Sequence, residues 1–100
     1  MELQANLDQF QAKGAQLVAL AVQEVSGAKL IADITNVDFP ILADPQHLAA
    51  SAWGVYNLLN DNTATPSVFV IDTQGRVVWS YIGKDANDRP SALQILEQIP

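Results

Sequence analysis

No cysteine occurs among the 100 residues, which excludes disulfides, thiolate metal sites and thiol catalysis by this chain on its own. Histidine appears once, as His47, and without a nucleophile no catalytic triad can be assembled around it. Basic side chains are scarce: Lys13, Lys29, Arg76, Lys84 and Arg89 are scattered against 11 acidic residues, for a formal charge of −6. Such a field repels a phosphate backbone, so no nucleic acid is expected as a partner. There is no basic amphipathic helix to lie on a membrane and no apolar run approaching the roughly 20 residues of a span, so no membrane partner is expected either. The opening MELQANLDQ lacks the charged and apolar regions of a signal peptide, which makes a cytoplasmic location the expectation. Gly27 and Gly54 stand alone and make no phosphate loop. Internal repeats and low-complexity tracts are also absent.

What is present suits one globular domain over residues 1–100, with 49% hydrophobic and 16% charged residues. Its organising stretch is TPSVFVIDTQGRVVWSYIG, residues 65–83. Two apolar runs, Ser67–Ile71 and Val77–Ile82, flank Asp72, Thr73, Gln74 and Gly75, which favour a tight turn. Val68, Val70, Val77 and Val78 are β-branched, and Phe69, Trp79 and Tyr81 add aromatic cross-strand partners, so the stretch is expected to be a β-hairpin. Pro66 sits where a strand begins and pushes Thr65 to extended geometry. By base rate alone the Thr65-Pro66 bond is trans.

Upstream, Leu3, Leu7 and Phe10 at spacings of four and three predict one amphipathic helix ending at Gly14. Residues 16–22 (QLVALAV) are apolar on both faces and predict a strand covered on both sides. Ser26 is the expected cap of a helix over residues 28–34, ended by Asn36. A short extended segment is expected at residues 41–43, a helix over residues 46–53 started by Asp44 or Pro45, and a polar loop at 60–63. After the hairpin comes a charged loop, and Pro90 is expected in the first turn of a final helix carrying Leu93, Ile95, Leu96 and Ile99. The last two strands join directly and must be antiparallel, so the chain is α/β with a mixed sheet and helices on its faces.

This order, with FPILADP, AWGVY, the hairpin stretch and a closing helix, resembles the thioredoxin-like redoxin family that includes the peroxiredoxins, of the alkyl hydroperoxide reductase and thiol-specific antioxidant type. The opening residues are similar to the second half of that family's active-site helix and the strand after it. The resemblance implies a thioredoxin-like three-layer sandwich, N-terminally truncated, lacking the central strand and the cysteine motif that stands at the start of the helix near Met1. A helix start favours a thiolate there, through its free N–H groups and dipole. The resemblance also places Thr65 and Pro66 at the substrate-facing loop, where the family's proline is cis. Peroxiredoxins tend to carry an arginine near this point. Here the neighbours are Asn62, Thr63 and Ala64, which leans towards thiol-disulfide exchange.

Other candidates have plain structural readings. His47 reads as a lone exposed side chain at a helix start. Asp38, Asp44 and Asp72 fall at turns or caps that favour aspartate locally, and no pair has ligand spacing, so neither a metal nor a cofactor is expected. Trp53 and Tyr56 read as core packing. Trp79 either faces the final helix or stands on an exposed edge. Two functions follow. The first is the C-terminal part of a redoxin-type thiol-disulfide oxidoreductase or peroxiredoxin, inactive alone, with a protein thiol partner. The second is a non-catalytic interaction module that pairs through an open sheet edge, by strand addition or self-association. A small nucleotide-binding Rossmann-like domain fits less well, because no glycine-rich turn follows the first strand.

Overall fold

The structure, a computed structural model, describes residues 2–100, so the expected helix start at Met1 lies outside the described residues. Its elements are α1 (Glu2–Ala5), α2 (Leu7–Ala12), β1 (Ala19–Ala21), α3 (Val25–Thr35), β2 (Ile41–Ala43), α4 (Leu48–Ala52), β3 (Ser67–Ile71), β4 (Val77–Ile82) and α5 (Ala92–Gln98).

The hairpin forms at the expected residues. β3 and β4 pair antiparallel, Val68 opposite Tyr81 and Val70 opposite Trp79, with a bulge between Val70 and Ile71. The Asp72 carboxylate accepts from the N–H groups of Gln74 and Arg76, both at 2.9 Å, and Gly75 takes φ +80°, a conformation that favours glycine. Val68 and Val70 turn one face of the hairpin onto a cluster of Phe10, Ala92, Ile95 and Leu96, with Trp79 packed against it. Trp79 therefore faces the final helix. Phe10 is completely buried, and each large side chain sealed in this cluster contributes about 1.5–3 kcal/mol.

The amphipathic opening is two short helices. At Asn6 the backbone leaves the helical region, with φ −111° and ψ 12°, which fits a side chain that readily competes for local backbone groups. Leu7 and Phe10 are still buried, as the spacing requires. Lys13 closes α2 and donates its Nζ to the carbonyls of Leu96 at 2.7 Å and Ile99 at 3.4 Å, which ties α2 to the end of α5. Helix α3 starts earlier than expected: Glu24 is its extended N-cap and Ser26 lies in the first turn. Asn36 ends it in the left-handed region, as foreseen. In α5, Pro90 lies outside the helix and Ser91 is the cap. The Ser91 hydroxyl accepts from the Gln94 N–H while the Gln94 side-chain oxygen accepts from the Ser91 N–H.

Parallel and antiparallel pairing both occur, as a mixed sheet requires, but in two separate ladders: β1 with β2 and β3 with β4. The expected strand over residues 16–22 shrinks to the three residues of β1, which pair on one edge with Ile41, Leu42 and Ala43. Residues 17 and 18 remain irregular, and Val18 and Leu20 are exposed. The accessible surface is 6726 Å². A compact monomer of this mass exposes about 5,500 Å², so some 1,200 Å² is in excess.

Candidate functional site

Between the two ladders lies a cleft of about 1610 Å³, lined on one side by residues 17–23 and on the other by residues 63–73. Its edges follow from the ladders' hydrogen bonds. Ala19 N–H donates to the Pro40 carbonyl and the Ala21 carbonyl accepts from Asp44 N–H, so these residues face β2 and the main-chain groups of Leu20 face the cleft. In the hairpin, Gly83 N–H donates to Pro66 and Asp72 N–H donates to Arg76, which fixes Val68 and Val70 as the residues bonded to β4. The main-chain groups of Ser67, Phe69 and Ile71 therefore point into the cleft. No other strand pairs with either edge among the described residues.

The cleft is apolar above and below. Phe10 and Ile95 line it from the face that Val68 and Val70 share. Phe69 turns to the opposite face, where its ring meets Trp53, the residue that closes α4, at a centroid distance of 4.7 Å. Trp53 is 44% exposed, so the expected core packing of this residue is corrected: it leans over the cleft. Tyr56 is half-buried and stacks on His47, with ring centroids 3.7 Å apart. That contact makes His47 half-buried rather than a free exposed side chain, and its Nδ1 lies 2.9 Å from the Ser51 hydroxyl.

Thr65 and Pro66 both line this cleft. Their placement starts at Asp44, whose buried carboxylate accepts from the Ala50 N–H at 2.9 Å and holds the first turn of α4. Helix α4 accordingly begins at Leu48, after the Asp44 turn, not at residue 46. Its end hands on to Val55, which is buried and accepts from the Thr65 N–H at 2.8 Å. Between them, Asn57, Asn60 and Asn62 adopt positive φ, which asparagine tolerates better than most residues, and Asn62 N–H donates to the Asn57 side chain. Thr65 is 2% exposed, and its hydroxyl has no hydrogen-bond partner among the described residues. The Thr65-Pro66 bond is trans, contrary to the cis geometry that the resemblance implied. Pro66 leads into β3, with its carbonyl accepting from Gly83 N–H at 2.8 Å.

Arg89 also lines the cleft. The sequence showed it only as one of five scattered basic residues, outside the charged loop expected over residues 84–88, and its position follows from the hydrogen-bonded turn after β4. There the Asp88 carboxylate accepts from Tyr81 Oη at 2.6 Å and from Lys84 N–H at 2.7 Å. Gly83 is required at the turn: a Cβ would come within 2.5 Å of the Asp88 carbonyl oxygen. The described residues contain no group of three or more His, Cys, Asp or Glu that could hold a metal ion, and no helix long and apolar enough to cross a membrane.

Comparison with known proteins agrees with this architecture. A peroxiredoxin of Nanoarchaeum equitans is 26% identical over 107 aligned residues, which cover 99% of this chain and 48% of that protein. Enterococcus faecalis AhpC superposes with a TM-score of 0.86 at 20% identity, covering 98% of this chain and 60% of its own. Peroxidoxin BcpB from Mycobacterium tuberculosis gives 0.83 at 23% identity, with 98% and 64% covered. The chain thus has the thioredoxin-like α/β fold and spans about half the length of the peroxiredoxin and three fifths of AhpC. It resembles part of a redoxin and has no thiol of its own. The profile of the AhpC/TSA family matches residues 1–80, and the chain belongs to that family.

Proposed function

We propose that these residues form the cysteine-free part of a redoxin-type thiol-disulfide oxidoreductase domain, in which the Thr65-Pro66 loop faces a thiol brought to the mouth of the cleft. The observation that carries this reading is the convergence of Thr65, Pro66 and two unpaired strand edges on one cleft, in a fold shared with the peroxiredoxins. Thr65 offers a desolvated hydroxyl without a partner, and such a group is a strong donor to a thiolate once one arrives. Asn62, Thr63 and Ala64 rather than arginine precede it in sequence, which leans towards exchange with a thiol, while Arg89 lines the same cleft from the loop after β4. A cytoplasmic, reducing setting fits a domain of this chemistry. Self-association is the competing use of the same edges.

A designed chimera tests the reading. An apolar strand followed by a helical turn opening on a single cysteine is joined ahead of Glu2, and the thiol is titrated by the pH dependence of its alkylation rate. A thiol pKa well below the ordinary value of about 8.5 is expected, rising when Thr65→Val removes the hydroxyl. A folded chimera whose cysteine titrates normally, with no response to Thr65→Val, would overturn it.

A further inference from the structure

We infer that Trp79, Tyr81 and Asp88 form a one-electron relay, which takes an oxidising equivalent from a dissolved radical at a ring packed on the core and delivers it to a tyrosine at the turn after β4. Three observations carry it. Trp79 and Tyr81 stand two residues apart on β4, so both rings lie on the same face of the strand, with centroids 6.1 Å apart and planes tilted by 38°. Tyr81 Oη donates to the Asp88 carboxylate at 2.6 Å, within the reach over which a base takes a proton directly. Lys84 N–H holds the same carboxylate at 2.7 Å, so the base is in position before any electron moves.

Charge sets the direction of transfer. Removing an electron from Trp79 leaves a cation on an indole packed against the apolar cluster of Phe10 and Ile95, and its N–H has no protein acceptor among the described residues. Tyr81 can supply that electron and pass its phenolic proton to Asp88 in the same step. The external radical is thereby reduced to its anion, Trp79 is restored by the electron from Tyr81, and the proton ends on Asp88. What remains is a neutral tyrosyl radical beside a neutral carboxylic acid, with no charge left on a half-buried ring. A thiolate from solution resets the pair: its electron returns to Tyr81 together with the proton of Asp88, and a thiyl radical departs. The other tyrosine lacks these parts. Tyr56 stacks on His47, and its hydroxyl has no protein partner among the described residues.

The probe is the azide radical, generated by pulse radiolysis with the full chain carrying Trp53→Phe and Tyr56→Phe, which leaves Trp79 and Tyr81 as its only tryptophan and tyrosine. The absorption of the tryptophan radical is expected to decay as that of the tyrosyl radical grows, at one rate that does not change with protein concentration. In deuterium oxide that rate is expected to fall roughly twofold, because the proton moves with the electron. Asp88→Asn keeps an oxygen acceptor for Tyr81 Oη but removes the base, and is expected to slow the transfer about tenfold or more. Tyrosyl growth that scales with protein concentration would overturn the inference, as would a tryptophan radical that decays without it or a rate unchanged in deuterium oxide. None of these depends on a variant at the turn. An Asp88→Asn chain that keeps its circular dichroism spectrum and transfers at the parent rate would overturn it as well. The relay rests on the hairpin and its turn alone, so it stands or falls independently of how the thiol in the chimera titrates.

Discussion

At the scale of single residues, Tyr81 and Asp88 show how a side-chain pair can fix a loop that reaches a site. The hydrogen bond from Tyr81 Oη, then that from Lys84 N–H, holds the Asp88 carboxyl below its ordinary 3.8. The same bond, with burial and the charge of Asp88 adding to it, raises the Tyr81 hydroxyl above 10.0. A depressed carboxylate stabilises the fold at pH values above its unfolded pKa and loses that contribution as pH falls through the folded one. The contribution of Asp88 is therefore complete above pH 3.8 and fades below it. Tyr81→Phe is expected to lower the melting temperature at neutral pH, with the gap from the parent narrowing as pH falls below 3.8. Thermal melts across pH 2–7 check this, and a constant gap would show that Asp88 titrates without regard to Tyr81. None of this pairing was legible in the sequence, because Asp88 reaches back to β4 through a turn set by Gly83.

Among the elements, legibility follows how locally each one is determined. The hairpin was readable to the residue because its turn chemistry, β-branched runs and aromatic pairs all lie within residues 65–83. Residues 16–22 were equally apolar, yet only three of them form a strand. A strand needs a neighbour to bond with, and the sequence shows apolarity but not whether a neighbour is there. The break at Asn6 and the start of α3 at Val25 are boundary shifts of one to three residues. Helix α5 is the clearest case of a cap that outranks a proline, since Ser91 and Gln94 form a reciprocal pair that Pro90 merely precedes. Replacing Ser91 by alanine removes the acceptor for Gln94 N–H and is expected to cost about 1 kcal/mol. In a chain of this size that lowers the melting temperature by roughly 4–8 °C, measurable by circular dichroism. A loss well under 2 °C would mean that packing of Ile95 and Leu96, rather than the cap, holds the helix in place.

For the molecule as a whole, the two ladders are unequal. The continuous buried cluster is built from α2, β3 and α5, with Trp79 of β4 and Leu3 of α1 packed onto it. The other ladder has three residues per strand, β1 contributes two alanines and an exposed Leu20, and α3 buries only Ala28. Burial of apolar surface is the main stabilising term, so the free energy of local opening should differ between the halves. Native-state amide exchange in low urea is expected to show the amides of Val68, Val70 and α5 opening only with global unfolding. Those of β1, β2 and α3 should open earlier, at lower free energy. Equal protection throughout would mean that the cleft does not divide the molecule mechanically.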